Sequence, residues 1–426
     1  MPAHSFVSLA VSIILLGLLG TAGPTAAGPV VDQIRALAKS LSSESAETLD
    51  TAKLETAVVL QRMYEQREYA PAWFGSRNEE ELFHELNRGI AQGFRPSDFH
   101  LPLLYDLQSA ARSGDPAAIA AFDLVASDAA IKLLHHLFFG KADPAALDSA
   151  WNFERPVINQ DPAQALNTHL NGPGYSALVS RVDIDAPQYH LLVDALNRYR
   201  TIAQAGGWTK VPDQKTLKPG MSDPAVAVLR ERLAQEGVPG EAPGSPTLDA
   251  QTVYDKALVQ GVKAFQLRHG LEADGVIGAK TFISLNKTAQ QRVDQLRLSL
   301  ERGRWLMRDL DDEFVLVNIA APRTYYFKPG GTVWTTRSVA GSAYRQTPVF
   351  RDEIQYMEFN PTWTVPASIF FKDKLPLIRK DPGYLERHNY MVVRESDRTP
   401  VNASAVNWRA SNPGVTLVQR PGPDNA

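Results

Sequence analysis

The sequence predicts a multidomain α+β protein, helices first and strands last. From Glu44 to Arg308 apolar residues recur at helical spacing. From Phe314 onward they fall into short β-branched and aromatic runs separated by turns. The length, 426 residues, is more than one hydrophobic core organises and points to two or three domains. The 29 prolines and 28 glycines suit a chain with many turns and linkers.

Composition narrows the function classes. Hydrophobic residues make up 44% and charged residues 21%, as in ordinary globular protein. A net charge of −3, with no Lys/Arg stripe interleaved with aromatics, argues against a nucleic-acid partner. There is no cysteine, so no disulfide staples the fold and a large core must do that work. The start reads as an export signal. Phe6 to Leu19 is an apolar run, followed by the small residues Thr21 to Ala27, and cleavage after Ala22 or Ala27 fits. Only His4 and the amino terminus could charge its front. The run is shorter than the ~20 residues a membrane span needs, which favours a cleaved signal in residues 1–27 over an anchor. The expectation is an exported protein, with membrane contact only through that signal.

A helical domain is expected over residues 28–210. Glu44 to Glu68 reads as helix, with Leu54 and Val58, then Val59 and Met63, at helical spacing. Tyr69-Ala-Pro-Ala-Trp73-Phe74 breaks it. Glu79 to Ala91 carries Leu82, Phe83, Leu86 and Ile90 on one stripe, and Gly93 sits at the C′ position. Leu101 to Ala111 and Pro116 to Gly140 follow. The second is apolar on nearly every side and should be the buried centre of a bundle. Pro144 to Ala186 is Pro/Asn/Asp-rich and reads as partly loop. Pro187 to Ala205 closes the domain.

Residues 211–290 read as a small three-helix module. Val226, Leu229 and Leu233 share one helix face, ended by Gly237. Val262, Phe265 and Leu267 mark a second helix ending near Gly270, and Thr281 to Leu285 a third. The two longer helices echo each other, which suggests an internal duplication. Asp274-Gly-Val-Ile-Gly278 makes a turn that needs glycine's freedom. Residues 291–313 link onward through a helix over Leu296 to Arg308. Residues 314–426 are β-rich. Strands are expected over Phe314–Ile319, Thr324–Phe327 and Thr332–Val339, with Gln355–Phe359 and Thr362–Val365 continuing the same sheet. A helical Lys372–Arg387, a polar loop Val401–Pro413 and a last strand Val415–Gln419 follow.

No residue pattern calls for a metal or cofactor. His135 and His136 are helix neighbours that point about 100° apart. No H-E-x-x-H occurs. The carboxylates of Asp311-Asp-Glu313 and Asp352-Glu353 suit turns better than a glycosidase pair. Ser338, Ser342 and Ser368 lie near the sheet without a histidine at motif spacing or a G-x-S-x-G elbow. His388 reads as a surface residue.

Three groups of residues carry a family resemblance. Ala264-Phe265-Gln266 followed by Asp274-Gly-Val-Ile-Gly278 resembles a peptidoglycan-binding module. Tyr69-Ala-Pro-Ala-Trp73-Phe74 with Gly93-Phe-Arg-Pro96-Ser-Asp98-Phe-His100 resembles the scaffold domain of the long periplasmic L,D-transpeptidases. Val339-Ala-Gly341, Arg345-Gln-Thr347-Pro348 and Phe359-Asn360-Pro361-x-Trp363-x-Val365-Pro366, with Leu375-Pro376 and Asp381-Pro-x-Tyr384-Leu385, are similar to the first half of that family's YkuD-type catalytic domain. The resemblance covers nearly all of the chain after residue 27, in the family's order. It implies peptidoglycan stem peptides and glycan as partners and cross-linking in cell-wall biogenesis as the role. It implies a β-rich catalytic fold whose Lys372–Gln419 stretch forms a mobile cap over the stem groove. The groove-lining candidates are Arg345, Thr347, Asn360, Trp363 and Pro366, each with a plain structural alternative as turn, core or strand punctuation. In the family a cysteine thiolate attacks the stem carbonyl and D-alanine leaves. This chain has no cysteine, so no catalytic residue can be named. The expectation is a chain stopping before that segment, with an exposed sheet face that leaves 314–426 marginal. The alternative is a non-catalytic wall-binding or scaffold protein with a degenerate domain.

Overall fold

The computed structural model describes residues 28–41, 48–49, 52–148, 151–153, 159–212, 215–237, 251–342 and 346–422. The expected signal, residues 1–27, lies outside them. Two compact units divide the chain, Met1–Phe350 and Arg351–Ala426.

The first unit begins with α1 (Pro29–Ser40) and a short hairpin of β1 (Thr48–Leu49) and β2 (Ala52–Lys53). Helix α2 covers only Ala57–Gln66, against the longer helix expected over Glu44–Glu68. A distant residue fixes its start. Asp128 accepts the Glu55 and Thr56 backbone N–H groups, each at 3.0 Å, and so satisfies donors that a helix end leaves open. Val58, placed by spacing beside Leu54, is 64% exposed, while Leu54 and Met63 are buried.

Helices α3 (Arg77–Ala91), α4 (Leu101–Ala111) and α5 (Pro116–Phe139) fall where the periodicity puts them. Gly93, just past α3, has φ +105°, the left-handed geometry its position demands. Helix α5 is the buried centre, as expected, with Phe122, Leu124, Val125, Leu133 and the polar Asp123, Ser127 and Asp128 all inside. The stretch read as partly loop holds three short helices, α6 (Pro144–Leu147), α7 (Pro162–Leu170) and α8 (Tyr175–Val182). Its Asp-Pro pairs are helix starts. Asp143 and Asp161 accept the amides of Ala145 and Ala163, and the proline after each needs no partner for its nitrogen. Asp115-Pro116 begins α5 in the same way.

Helix α9 (Pro187–Gln204) packs along α13 (Ala289–Leu306) through Tyr189, Leu196, Tyr199, Val293 and Leu300. The linking helix thus starts seven residues before the expected Leu296, because Thr288 and Gln291 form a capping box. Between them α10 (Pro224–Gln235), α11 (Lys256–Arg268) and α12 (Ala279–Leu285) enclose a small core of Val226, Leu229, Leu233, Val262, Phe265 and Leu285. Leu267, expected on the inner face of α11, is 57% exposed. The unit ends with β3 (Phe314–Asn318), β4 (Arg323–Lys328) and β5 (Gly331–Arg337), an antiparallel sheet in that order.

The second unit is built around Trp363–Thr364 (β6), Tyr390–Arg394 (β7) and Val415–Gln419 (β8), with β8 in the middle. Three short helices, Ala367–Ile369 (α14), Leu375–Lys380 (α15) and Tyr384–Arg387 (α16), cover it, with a π-helical turn over Phe370–Lys374. The single continuous sheet expected from the sequence is therefore two separate three-stranded sheets. Gln355–Phe359 is not a strand. Ile354, Tyr356, Met357 and Phe359 are 74–82% exposed, and β-branched or aromatic character makes no strand without a ladder to join. Lys372–Gln419 shares one core with Val365, through Phe370, Leu375, Ile378, Val392 and Leu417.

Candidate functional site

The groove candidates divide between the two units. Arg345 lies outside the described residues. Thr347, in the first unit, is half-buried, and its hydroxyl accepts the Gly341 N–H at 2.8 Å. Two residues on, Val349 bridges Trp151 and accepts the Asn152 N–H at 3.1 Å.

The other three candidates frame β6. Asn360 has φ +52°, a left-handed backbone uncommon outside glycine and asparagine. Trp363 pairs with Gln419, and the Val365 N–H donates to the Leu417 carbonyl at 2.8 Å. Pro366 is exposed and caps the first helical turn, its carbonyl accepting the Phe370 N–H at 2.8 Å. Trp363 is half-buried, and the Lys374 ammonium lies 5.9 Å from its ring centre, 5.8 Å from that of Tyr384 and 5.5 Å from that of Tyr390. Lys374 also donates to the Tyr384 hydroxyl at 3.2 Å. Partial burial works against its charge, but hydrogen bonds to Tyr384 and Tyr390 outweigh that and hold the ammonium above its ordinary value. It is a fixed cation, not a neutral amine ready to attack. This aromatic enclosure was missed in the sequence because its members are eleven to twenty-seven positions from Trp363; a lysine among aromatics is a signal only once the fold brings them together.

Ser338 shares a 2.5 Å hydrogen bond with the Thr324 hydroxyl. The His388 ring packs against that of Tyr384, ring centres 4.3 Å apart and planes tilted by 41°. Among the described residues no group of three or more His, Asp or Glu could hold a metal ion.

The remaining motif residues build structure. In the small module Gln266 donates to Asp274 Oδ1 at 2.8 Å and to the Val276 carbonyl at 3.0 Å, and its own oxygen accepts the Gly275 N–H at 2.9 Å. Gly275 sits at φ +77°, where a Cβ would come within 3.0 Å of Val259, so this glycine is obligatory. Gly278, expected to need the same freedom, has φ −95° and simply precedes α12. In the helical domain Asp123 accepts the amides of Ala72 at 2.7 Å and Trp73 at 2.9 Å, plus the Tyr64 hydroxyl at 2.8 Å, while the Trp73 indole donates to Ser127 at 2.8 Å. Burial pushes the Asp123 carboxyl up, and these donors only partly pull it back.

The motif-bearing segments each match a known family. Residues 58–196 match the model described as "Scaffold domain", residues 222–285 that described as "Putative peptidoglycan binding domain", and residues 312–425 that described as "L,D-transpeptidase catalytic domain". The chain is thus similar, segment by segment, to the L,D-transpeptidase family. A protein of Haemophilus influenzae (strain ATCC 51907 / DSM 11121 / KW20 / Rd) named "Putative L,D-transpeptidase" is 27% identical over 96 residues, 22% of this chain and 19% of that protein. The match therefore spans about a fifth of the relative's length.

The domain order gives the family likeness its structural counterpart: helical scaffold, three-helix module, then antiparallel sheets. A buried polar cluster ties the module to the scaffold helix α9. Arg232, fully buried, donates to Glu236 at 2.6 Å and to the Leu285 carbonyl at 3.0 Å, with its guanidinium 3.6 Å from the Trp208 ring centre. His269 lies 2.9 Å from Glu236, and the Tyr199 hydroxyl of α9 donates to the same carboxylate. Burial alone would raise the Glu236 carboxyl, but His269, Arg232 and Tyr199 outweigh it and bring it down to about 2. Among the described residues no helix is long and apolar enough to cross a membrane.

Proposed function

We propose that this protein acts in the periplasm on peptidoglycan, as an L,D-transpeptidase that joins stem peptides in cell-wall biogenesis. The observation that supports this most is the succession of scaffold, peptidoglycan-binding and L,D-transpeptidase matches along one chain. Residues 222–285 would hold the enzyme to glycan. Arg345, Thr347, Asn360, Trp363 and Pro366 would contact the stem peptide, with Lys374 holding Trp363 from behind. Transfer needs a thiolate, a base that makes it and backbone donors for the oxyanion. The 426 residues contain no cysteine, so they account for binding and positioning but for no nucleophile.

That absence also favours a second reading, a wall-binding scaffold protein whose transpeptidase domain does no chemistry. One experiment separates the two. The protein made from its own gene in its native cell would be purified, weighed intact, and assayed for D-alanine release from a stem tetrapeptide. Cysteine-dependent release together with a mass well above 46.9 kDa supports the enzyme. Binding to purified sacculi without release, at a mass no greater than that, supports the scaffold reading.

A further inference from the structure

A groove of about 510 Å³ runs between α3, α9 and α13, and none of the candidate residues named above lines it. Its volume is within the range typical of small-ligand sites, roughly 300–1,000 Å³. Three arginines, Arg95, Arg200 and Arg297, line it, with Gln290 beside them and Ile90, Pro96 and Ala203 as its partly exposed apolar lining. No aspartate or glutamate lines it.

The arginines are positioned by the scaffold, and not by carboxylates. Arg200 donates to the Ile90 carbonyl at 2.7 Å, and Arg297 to the Gly93 carbonyl at 2.7 Å. Neutral carbonyls orient a guanidinium without cancelling its charge. Arg297 meets Asp294 only at 3.8 Å, and that carboxylate is 56% exposed, so the pair is weak. Partial burial, and then the positive charge of Arg297, push the Arg200 guanidinium down, the mark of two cations held close. Arg95 is exposed. Its turn is locked from below, because Asp98 accepts the Arg95 N–H at 2.8 Å and pairs with Lys141 at 2.6 Å. Arg95 belongs to the Gly93–His100 stretch that marks the scaffold domain in the sequence, and no catalytic or module role uses it.

We propose that this groove is a second binding site of the protein, taking a short peptide with free carboxylates, of the kind a peptidoglycan stem presents. The guanidiniums would receive the carboxylates in paired hydrogen bonds, and the partly exposed Ile90, Pro96 and Ala203 the aliphatic carbons between them. A bare phosphate would leave the apolar lining unused. The choice of a stem as source rests on the wall reading above; the groove's preference for an acidic peptide does not.

The test uses the full chain, with a synthetic stem tetrapeptide carrying free carboxylates, the same peptide fully amidated, and inorganic phosphate, each titrated calorimetrically. Arg95→Gln removes one cation without touching a scaffold hydrogen bond, and Arg200→Gln removes a second. The expected result is saturable binding of the free-acid peptide that weakens about ten-fold in Arg95→Gln, with an unchanged melting temperature, and at least as much in Arg200→Gln. Binding should also fall as salt rises. Equal binding of the amidated peptide, equal competition by phosphate, an unaffected Arg95→Gln variant, or no binding at all overturns the proposal. Sacculus pull-down, run in parallel, reads residues 222–285. If Arg95→Gln leaves both peptide and sacculus binding intact, the groove inference fails and the wall reading stands. Loss of sacculus binding in the wild-type chain would sink the wall reading itself.

Discussion

Within the span that matches the L,D-transpeptidase catalytic domain, two three-stranded antiparallel sheets handle their apolar residues in opposite ways. In β3-β4-β5 no described side chain is fully buried, and Val315, Leu316, Val317 and Trp334 are 41–54% exposed. In β6-β8-β7 the central strand alternates cleanly, with Val415, Leu417 and Gln419 inside, and helices α15 and α16 close over it. Both sheets are antiparallel with similar residue types, the first having one register irregularity at Tyr326/Phe327. Among the described residues they differ in whether one face is fully buried under helices. Backbone hydrogen bonds alone make a ladder; burying apolar area against something else is what makes it resistant to opening.

The largest expected effect tests that directly. Leu417→Ala should cost the second sheet about 2–5 kcal/mol, read as lost hydrogen-exchange protection over Tyr390–Arg394 and Val415–Gln419. Leu316→Ala, at a position 41% exposed, should cost under about 1 kcal/mol. Equal losses would break the contrast.

Acid should strike a third region and spare the second sheet. The Glu236 carboxyl is held at about 2, below its ordinary 4.5. Its stabilisation is therefore complete above about pH 4.5 and is lost as pH falls towards 2, on the order of 3 kcal/mol in all. His269 is also held below its ordinary value, chiefly by burial, so its protonation below about pH 6.5 pulls in the same direction. Exchange at Pro224–Gln235 should quicken over this range, while β8 keeps its protection, since no carboxylate is buried among the described residues of that unit. Loosening of β8 ahead of α10 would contradict this.

Trypsin offers a coarser reading. Arg351 lies on an exposed stretch without regular structure, whereas Arg379 sits in α15 and donates to the Trp408 carbonyl at 2.7 Å and the Ala410 carbonyl at 2.8 Å. Cleavage after Arg351 should be at least about ten-fold faster. Comparable rates would mean the second core opens as readily as the segment before it.

The smallest effect concerns solubility. Val317 is 52% exposed on the edge strand β3. Val317→Lys should shift stability by no more than about 0.5 kcal/mol yet reduce light scattering as the protein is concentrated, because a charge on an edge blocks strand addition. Unchanged scattering would show that the exposed face is not sticky.

Helices buried through one periodic stripe were legible in the sequence, as α3 and α4 show, and α5 was legible because it is apolar on nearly every side. The Asp-Pro pairs before α6 and α7 were legible too, but proline and aspartate had been weighed as loop formers when together they cap and begin a helix. Motif turns such as Asp274–Gly278 were visible as turns, and the structure makes them fold-holding through Gln266. Of the groove candidates, the sequence placed Asn360, Trp363 and Pro366 on one short segment. It could not show that Lys374, Tyr384 and Tyr390 gather on Trp363, because those contacts cross the chain.

By itself the sequence determined where the helical part gives way to strands, which residues carry the family signatures, and that no thiol is present among its residues. Periodicity and residue chemistry are local properties, and reading them needs no partner. Only the tertiary structure decided that α2 starts at Ala57 under the Asp128 carboxylate, that Gln355–Phe359 stays unpaired, and that the expected single sheet is two. Each of those outcomes depends on a donor, a strand or a covering layer far away along the chain, and the free energy of pairing or burial exists only once that partner has arrived.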